Sequence, residues 1–143
     1  MENQYYLIRK TEELDGTCYF EFLPGKYQDK CWNSHSVYLT EDSAAFVEDI
    51  FHQISNEYDH YSFTELNKEQ IQLFLTLIDS RISKMKSTKQ YKLESTIFSE
   101  YYYNYLMNDY IKYKKQIITL LFDFKIWLSE IIQSYDRITI MGL

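Results

Sequence analysis

"HSVYLTEDSAAFVEDIFHQIS", His35 to Ser55, changes period partway along. Its first five residues put His35, Val37 and Leu39 on one face of an extended chain, the mark of a half-buried strand. From Thr40 onward the pattern is helical. Thr40 is a good N-cap, and Glu41 and Asp42 suit the positive end of a helix. Ala45, Val47, Ile50, Phe51 and Ile54 supply most of an apolar stripe over about 41–55. A strand passing straight into a helix points to an α+β class.

Upstream, "QYYLIRK" (4–10) and "TCYFEFL" (17–23) read as two further strands. In the second, Cys18, Phe20 and Phe22 alternate with Tyr19 and Glu21. Asp15-Gly16 between them is a strong turn dipeptide. Pro24-Gly25 closes the hairpin and opens a loop over 26–34. Downstream, "NEYDHYSFTEL" (56–66) is a connection with room for a short extended piece. Asn67 with Gln70 three residues on forms a capping box for a helix carrying Ile71, Phe74, Leu75, Ile78 and Ile82. "SKMKSTKQYK" (83–92) is polar and basic and loosens the chain.

From Leu93 to Tyr135 the pattern stays helical. One helix of about 40 residues would be about 60 Å long, whereas a domain of this size has a radius of gyration of about 14–15 Å. A break is therefore expected, best placed at Asn108-Asp109. The last helix, about 110–134, is apolar on much of its circumference and is expected to be buried. "RITIM" (137–141) returns as a final strand to the N-terminal sheet. The expected architecture is a single domain over 1–143, with a small antiparallel sheet of about four strands, three or four packing helices and a long C-terminal helical region.

Composition narrows the function classes. The chain has 143 residues, 45% hydrophobic and 18% aromatic, with only three glycines and one proline. That suffices for a real core and disfavours disorder or a many-turned sandwich. The formal charge of −6 argues against a nucleic-acid partner and suits a basic protein. "MENQYYLIRK" lacks the basic-then-apolar layout of a signal peptide, and "IITLLF" is far short of a membrane span. Cys18 and Cys31 fit no C-x-x-C or zinc spacing, so they read as reduced thiols in a cytoplasmic protein.

No phosphate-binding loop, nucleophile elbow or zinc-protease motif occurs. Glu48 and His52 lie four apart, and with Glu57, Asp59 and His60 nearby a metal site is conceivable. An i,i+4 surface pair is the simpler reading. Cys31 and His35 could serve as nucleophile and base, but nothing supplies an orienting third group. Neither a cofactor nor catalysis is expected. The basic run Arg81, Lys84, Lys86, Lys89 and Lys92 reads as a solvated helix end and loop, with an anion-binding patch as the alternative.

Residues 41–69 carry the excess charge. Glu41, Asp42, Glu48, Asp49, Glu57, Asp59, Glu65 and Glu69 have only Lys68 as countercharge. Tyr58, Tyr61 and Phe63 lie among them, and aromatic anchors ringed by charge are what a protein-binding site needs. A second aromatic stretch, "FSEYYYNYLMNDYIKYKK" (98–115), holds six tyrosines. With Phe98 at zero and about 100° per residue, Tyr102, Tyr105 and Tyr113 join Leu106 in a packed stripe. Tyr110 flanks that stripe, Tyr103 sits at its boundary and Tyr101 points outward. Tyr101 and Tyr103 therefore join the candidate partner contacts.

"HSVYLTEDSAAFVEDIF", "YDHYSFTELNKEQIQLFLTLI" and "WLSEIIQSYDRITIMGL" resemble stretches of bacterial immunity proteins from polymorphic-toxin and contact-dependent growth-inhibition systems. The order of elements is similar too, ending in an "ITI" strand and a glycine. The resemblance implies a cytoplasmic, non-catalytic protein that binds and neutralises a cognate toxin, most simply a basic nuclease-type domain. Residues 84–112 look like an insertion relative to that pattern. A scaffold or regulatory subunit, including a homodimer built on the long helix, is the alternative; a small enzyme is the third.

Overall fold

The computed structural model describes residues 4–143. The sheet has four antiparallel strands: β1 (Tyr19–Pro24), β2 (Val37–Thr40), β3 (Phe63–Asn67) and β4 (Arg137–Met141). Their order is β2-β1-β4-β3. The helices are α1 (Glu41–Ala44), α2 (Glu48–Ile54), α3 (Lys68–Ser87) and α4 (Glu100–Ile131). This is the α+β class expected, but the four strands are not the four proposed. "QYYLIRK" contributes only a bridge, Ile8 to Tyr38. Its start is held instead by α4: the Gln4 and Tyr5 amides donate to Gln116 Oε1, and the Tyr5 hydroxyl donates to Asp109 at 2.6 Å. The missing strand is β3, from the segment read as a connection. Its alternation of exposed Phe63, Glu65 and Asn67 with buried Thr64 and Leu66 is period two.

One sheet face packs on the helices. Phe22 of β1 lies 5.7 Å from Phe51 of α2 and 4.7 Å from Phe124 of α4, between ring centroids. Phe74 of α3 closes the set, 5.2 Å from Phe51 and 5.6 Å from Phe124. Rings at such spacings, mostly tilted or edge-on, add to the burial of large apolar surface. α4 runs back along α3, with Lys125 on Asp79 at 2.6 Å near one end and Lys114 at the Thr88 carbonyl near the other. The second sheet face is covered by the loop after β1. There the buried Glu21 carboxylate accepts the Trp32 and Asn33 amides, the Asn33 side chain and the Ser36 hydroxyl. Burying a charge requires that saturation.

The first helix is not continuous over 41–55. Thr40 caps it as expected, accepting the Ser43 amide at 3.1 Å. It then breaks after Ala44 and restarts at Glu48. The break frees the Phe46 carbonyl, which accepts from Arg81 at 2.8 Å. The same guanidinium grips both oxygens of Asp49 at 2.6 and 2.5 Å. Arg81 is thus no solvated helix end. Burial disfavours its charge, but Asp49 outweighs that and holds its pKa above the usual value. The capping box of α3 is present, with reciprocal Asn67 and Gln70 bonds of 2.9 Å each, and α3 runs on to Ser87, past the start of the segment expected to loosen.

Asn108-Asp109 does not break α4. The departure from helical geometry is at Tyr113 (φ −117°, ψ 26°). Asp109 instead accepts the Tyr5 hydroxyl from the N-terminal segment. Nor is the last helix buried all round, since Ile111, Phe122 and Ile126 are exposed. The tyrosine stripe also shifts. Tyr110 is buried and Tyr105 is 41% exposed, while Tyr101 is 85% exposed as expected. The reason is phase: Ser99 is the N-cap, so Phe98, the chosen origin, lies outside the helix.

Replacing Arg81 with Met should cost about 3–5 kcal/mol, because it leaves Asp49 buried without a partner. A double-mutant cycle with Asp49→Asn, followed by urea denaturation, should show strong coupling between the two. Gly142→Ala should also destabilise, by more than about 2 kcal/mol. Its Cβ would lie 2.3 Å from the His60 carbonyl oxygen and 2.9 Å from that of Ser62, both backbone atoms. Tyr101→Ala should leave the midpoint within about 0.5 kcal/mol of the parent.

Candidate functional site

The broken helix sets up a cleft. α1 presents Glu41, and α2 presents Glu48 and His52. The segment before β3 brings His60 and Tyr61 across from them. Ile97, Phe98 and Ser99, leading into α4, together with Tyr102, form the far wall. The cleft encloses about 360 Å³, in the range of small-ligand and side-chain pockets.

His60 is the hub. Its Nδ1 meets Glu48 in a short contact and its Nε2 lies 3.0 Å from Glu41. A ring so placed donates to both carboxylates only when both nitrogens carry protons. Its edge-on packing against Phe20 and Tyr61, with centroids 5.0 and 4.7 Å away, fixes the ring plane. Gly142 allows the approach that anchors this segment: the Gly142 amide donates to Ser62 and the Leu143 amide to His60, each at 3.0 Å.

Phenols hold the remaining carboxylates. Tyr58 donates to Glu48 at 2.7 Å. Tyr102 and Tyr105 donate to the two oxygens of Asp42 at 2.6 and 2.9 Å. Burial, then the charge of Glu48, pushes the Tyr58 pKa up; burial, then the bond to Asp42, does the same at Tyr102. At the more exposed Tyr105 the Asp42 bond acts first and lifts the phenol to about 12. All three stay neutral donors over the physiological range.

The candidate residues from the sequence divide clearly. Glu41, Glu48 and Tyr61 line the cleft, with Asp42 and Tyr58 one hydrogen bond behind it. Glu48, Asp49 and Tyr58 are buried, so a docking protein would not meet them. Their acids and hydroxyl are used inside, and Asp49 belongs to Arg81. Glu65 pairs with Arg137 at 2.8 Å on the sheet edge. Phe63 packs at a tilt against Tyr27, 4.6 Å between centroids, on the outer side of the sheet. Glu57 is exposed, and Asp59 accepts the Tyr61 amide at 2.7 Å. Tyr103 faces away toward Leu93, to whose carbonyl it donates at 3.2 Å. The acidic region therefore has far more countercharge and donors than Lys68 alone.

His52 does not pair with Glu48; it packs edge-on against Tyr58, 4.9 Å between centroids. Among the described residues no group of three or more His, Cys, Asp or Glu could hold a metal ion. Both cysteines are free and exposed, and neither lines the cleft. Among the described residues no helix is long and apolar enough to cross a membrane. Sequence reading missed Phe98, Ser99 and the hub role of His60. Only Ser99 left a signal, as a cap that accepts the Tyr102 amide at 3.2 Å. No protein-family model, curated protein or solved structure matches this chain.

The raised phenols link stability to alkaline pH. An unfolded tyrosine ionises near 10, below the folded values of Tyr58, Tyr102 and Tyr105. Their contribution is therefore complete below about pH 10 and is lost as pH rises through the folded values. Absorbance near 295 nm, followed with circular dichroism, should show these phenols ionising late and together with unfolding. Tyr58→Phe should remove one late group and cost about 1–2 kcal/mol, since Glu48 loses a donor.

Proposed function

We propose that this chain is an immunity protein, which binds a cognate bacterial toxin stoichiometrically in the cytoplasm and blocks it without catalysis. The likeness of three sequence stretches to such proteins supplies the class. The observation that carries the reading is the mouth of the cleft. Glu41, Glu57 and Asp59 stand exposed around Tyr61, which is 73% exposed and whose backbone is pinned by Asp59. An aromatic anchor among exposed acids suits a basic protein surface. Acids at the rim speed the encounter, and the anchor slows release. A neutralising complex needs an interface of about 1,600 Å², so the docking face extends beyond the cleft.

Co-expression with the toxin domain encoded beside this gene is the test. Protection of the cell, and a complex with a nanomolar dissociation constant that weakens with salt, are expected. Tyr61→Ala should weaken binding about tenfold or more, and Glu41→Lys should slow association and flatten its salt dependence. Absence of both protection and complex would sink the proposal.

One observation favours a second reading. Ile111, Phe122 and Ile126 are exposed along α4 with half-buried Ile118 between them, a stripe at helical spacing. Self-association across that stripe would give a homodimeric scaffold. Light scattering at twice the monomer mass, reverting to one in Phe122→Asp, would establish it.

A further inference from the structure

Away from the acidic cleft, the polar connection between α3 and α4 folds back against α4. Lys114 Nζ lies 3.4 Å from the Thr88 carbonyl and ties the two together. Between them runs a groove of about 410 Å³, with Tyr103, Met107, Tyr110 and Ile111 lining it and Lys89 and Lys92 at its edge. A second hollow of about 450 Å³ continues past Ile111 to Lys112, Lys114 and Lys115. None of these five lysines forms an ion pair among the described residues. Asp109, close by in sequence, is turned to the Tyr5 hydroxyl. Ile111 is 78% exposed where the two hollows meet.

We infer that this groove is a second docking site, for an acidic peptide segment that carries an apolar side chain. Two features select that occupant. Lysines without an ion pair among the described residues flank an apolar trough, the complement of acids flanking an apolar anchor. The groove's rings are not free for base stacking, which a single-stranded nucleic acid requires. Tyr91 lies under the Arg81 guanidinium at 5.9 Å and packs on Tyr110 at 6.0 Å, and Tyr103 is held by its bond to Leu93. The side chains left open, Met107 and Ile111, suit an aliphatic or aromatic residue of a peptide. This site is independent of the proposed toxin face, whose partner is basic.

The probe is a fluorescein-labelled peptide, Glu-Asp-Glu-Phe-Leu-Glu-Asp-Glu, titrated with the full chain at low salt and read by anisotropy. Saturable binding that weakens as salt rises is expected. The double variant Lys89→Glu, Lys92→Glu and the single variant Ile111→Asp should each weaken it about tenfold or more. Lys26→Glu, on the distant loop after β1, should leave it unchanged. All four side chains are exposed, and thermal melts of the variants confirm folding. No saturable binding up to about millimolar protein would overturn the inference. So would equal binding by the lysine variant, or tighter binding of oligothymidylate than of the peptide.

Discussion

The Arg81 guanidinium holds the cleft side of the molecule in place. It projects from α3 into the break between α1 and α2, takes the Phe46 carbonyl that the break exposes, and chelates Asp49 just beyond it. Its outer face lies over Tyr91, so the connection to α4 rests on the same group. A helix broken with buried, unpaired carbonyls would be costly. The bidentate geometry of arginine satisfies carbonyl and carboxylate together, which a lysine could not. Because the break is held open, Glu41 and Glu48 converge on His60 instead of lying along one continuous helix.

A topological constraint acts on the other wall. β4 comes last in the sequence yet lies inside the sheet, between β1 and β3. β3 takes its strand partner from β4, so the segment carrying Tyr58, His60 and Tyr61 is placed by the returning chain as well as by α1 and α2. Gly142 completes the arrangement. The backbone behind β4 approaches the His60 and Ser62 carbonyls closer than any side chain allows. Stability of the fold and placement of the cleft are therefore the same property. Closing a loop between residues so far apart in sequence makes such sheets slow to form.

Local signals were reliable where local physics decided the outcome. Thr40 and Asn67 act within a few residues, and each caps its helix as read. The alternation over 17–23 marks a strand, but not a half-buried one: Cys18 is exposed, and Glu21 and Leu23 are buried with Phe20 and Phe22 because the loop after β1 covers the second face. Readings failed where a distant partner decided. "QYYLIRK" has strand character, but Gln116 and Asp109 claim its polar groups. Residues 41–55 look like one helix because nothing local announces Arg81, 35 positions beyond Phe46. The acidic stretch looked unbalanced because its cations and phenols come from 58–60, 81, 102–105 and 137. Tyr61, read as a candidate contact, is exposed at the cleft, as an aromatic beside acids in a turn tends to be.

The tyrosine content acquires a physical role from these partners. Arg81 and Arg137 cancel the charges of Asp49 and Glu65, so those two acids add little to the field around the protein. Tyr58, Tyr102 and Tyr105 act differently. A phenol whose pKa is pushed upward donates a hydrogen bond without neutralising its acceptor. Asp42 and Glu48 are thereby fixed in position, the one by two phenols and the other by a phenol and His60. Tyr5 does the same for Asp109. Carboxylates fixed beforehand lose little conformational freedom when a partner arrives, and their field is already oriented. The carboxylates of the cleft are thus held by neutral donors, where arginine or lysine at the same positions would have added a countercharge.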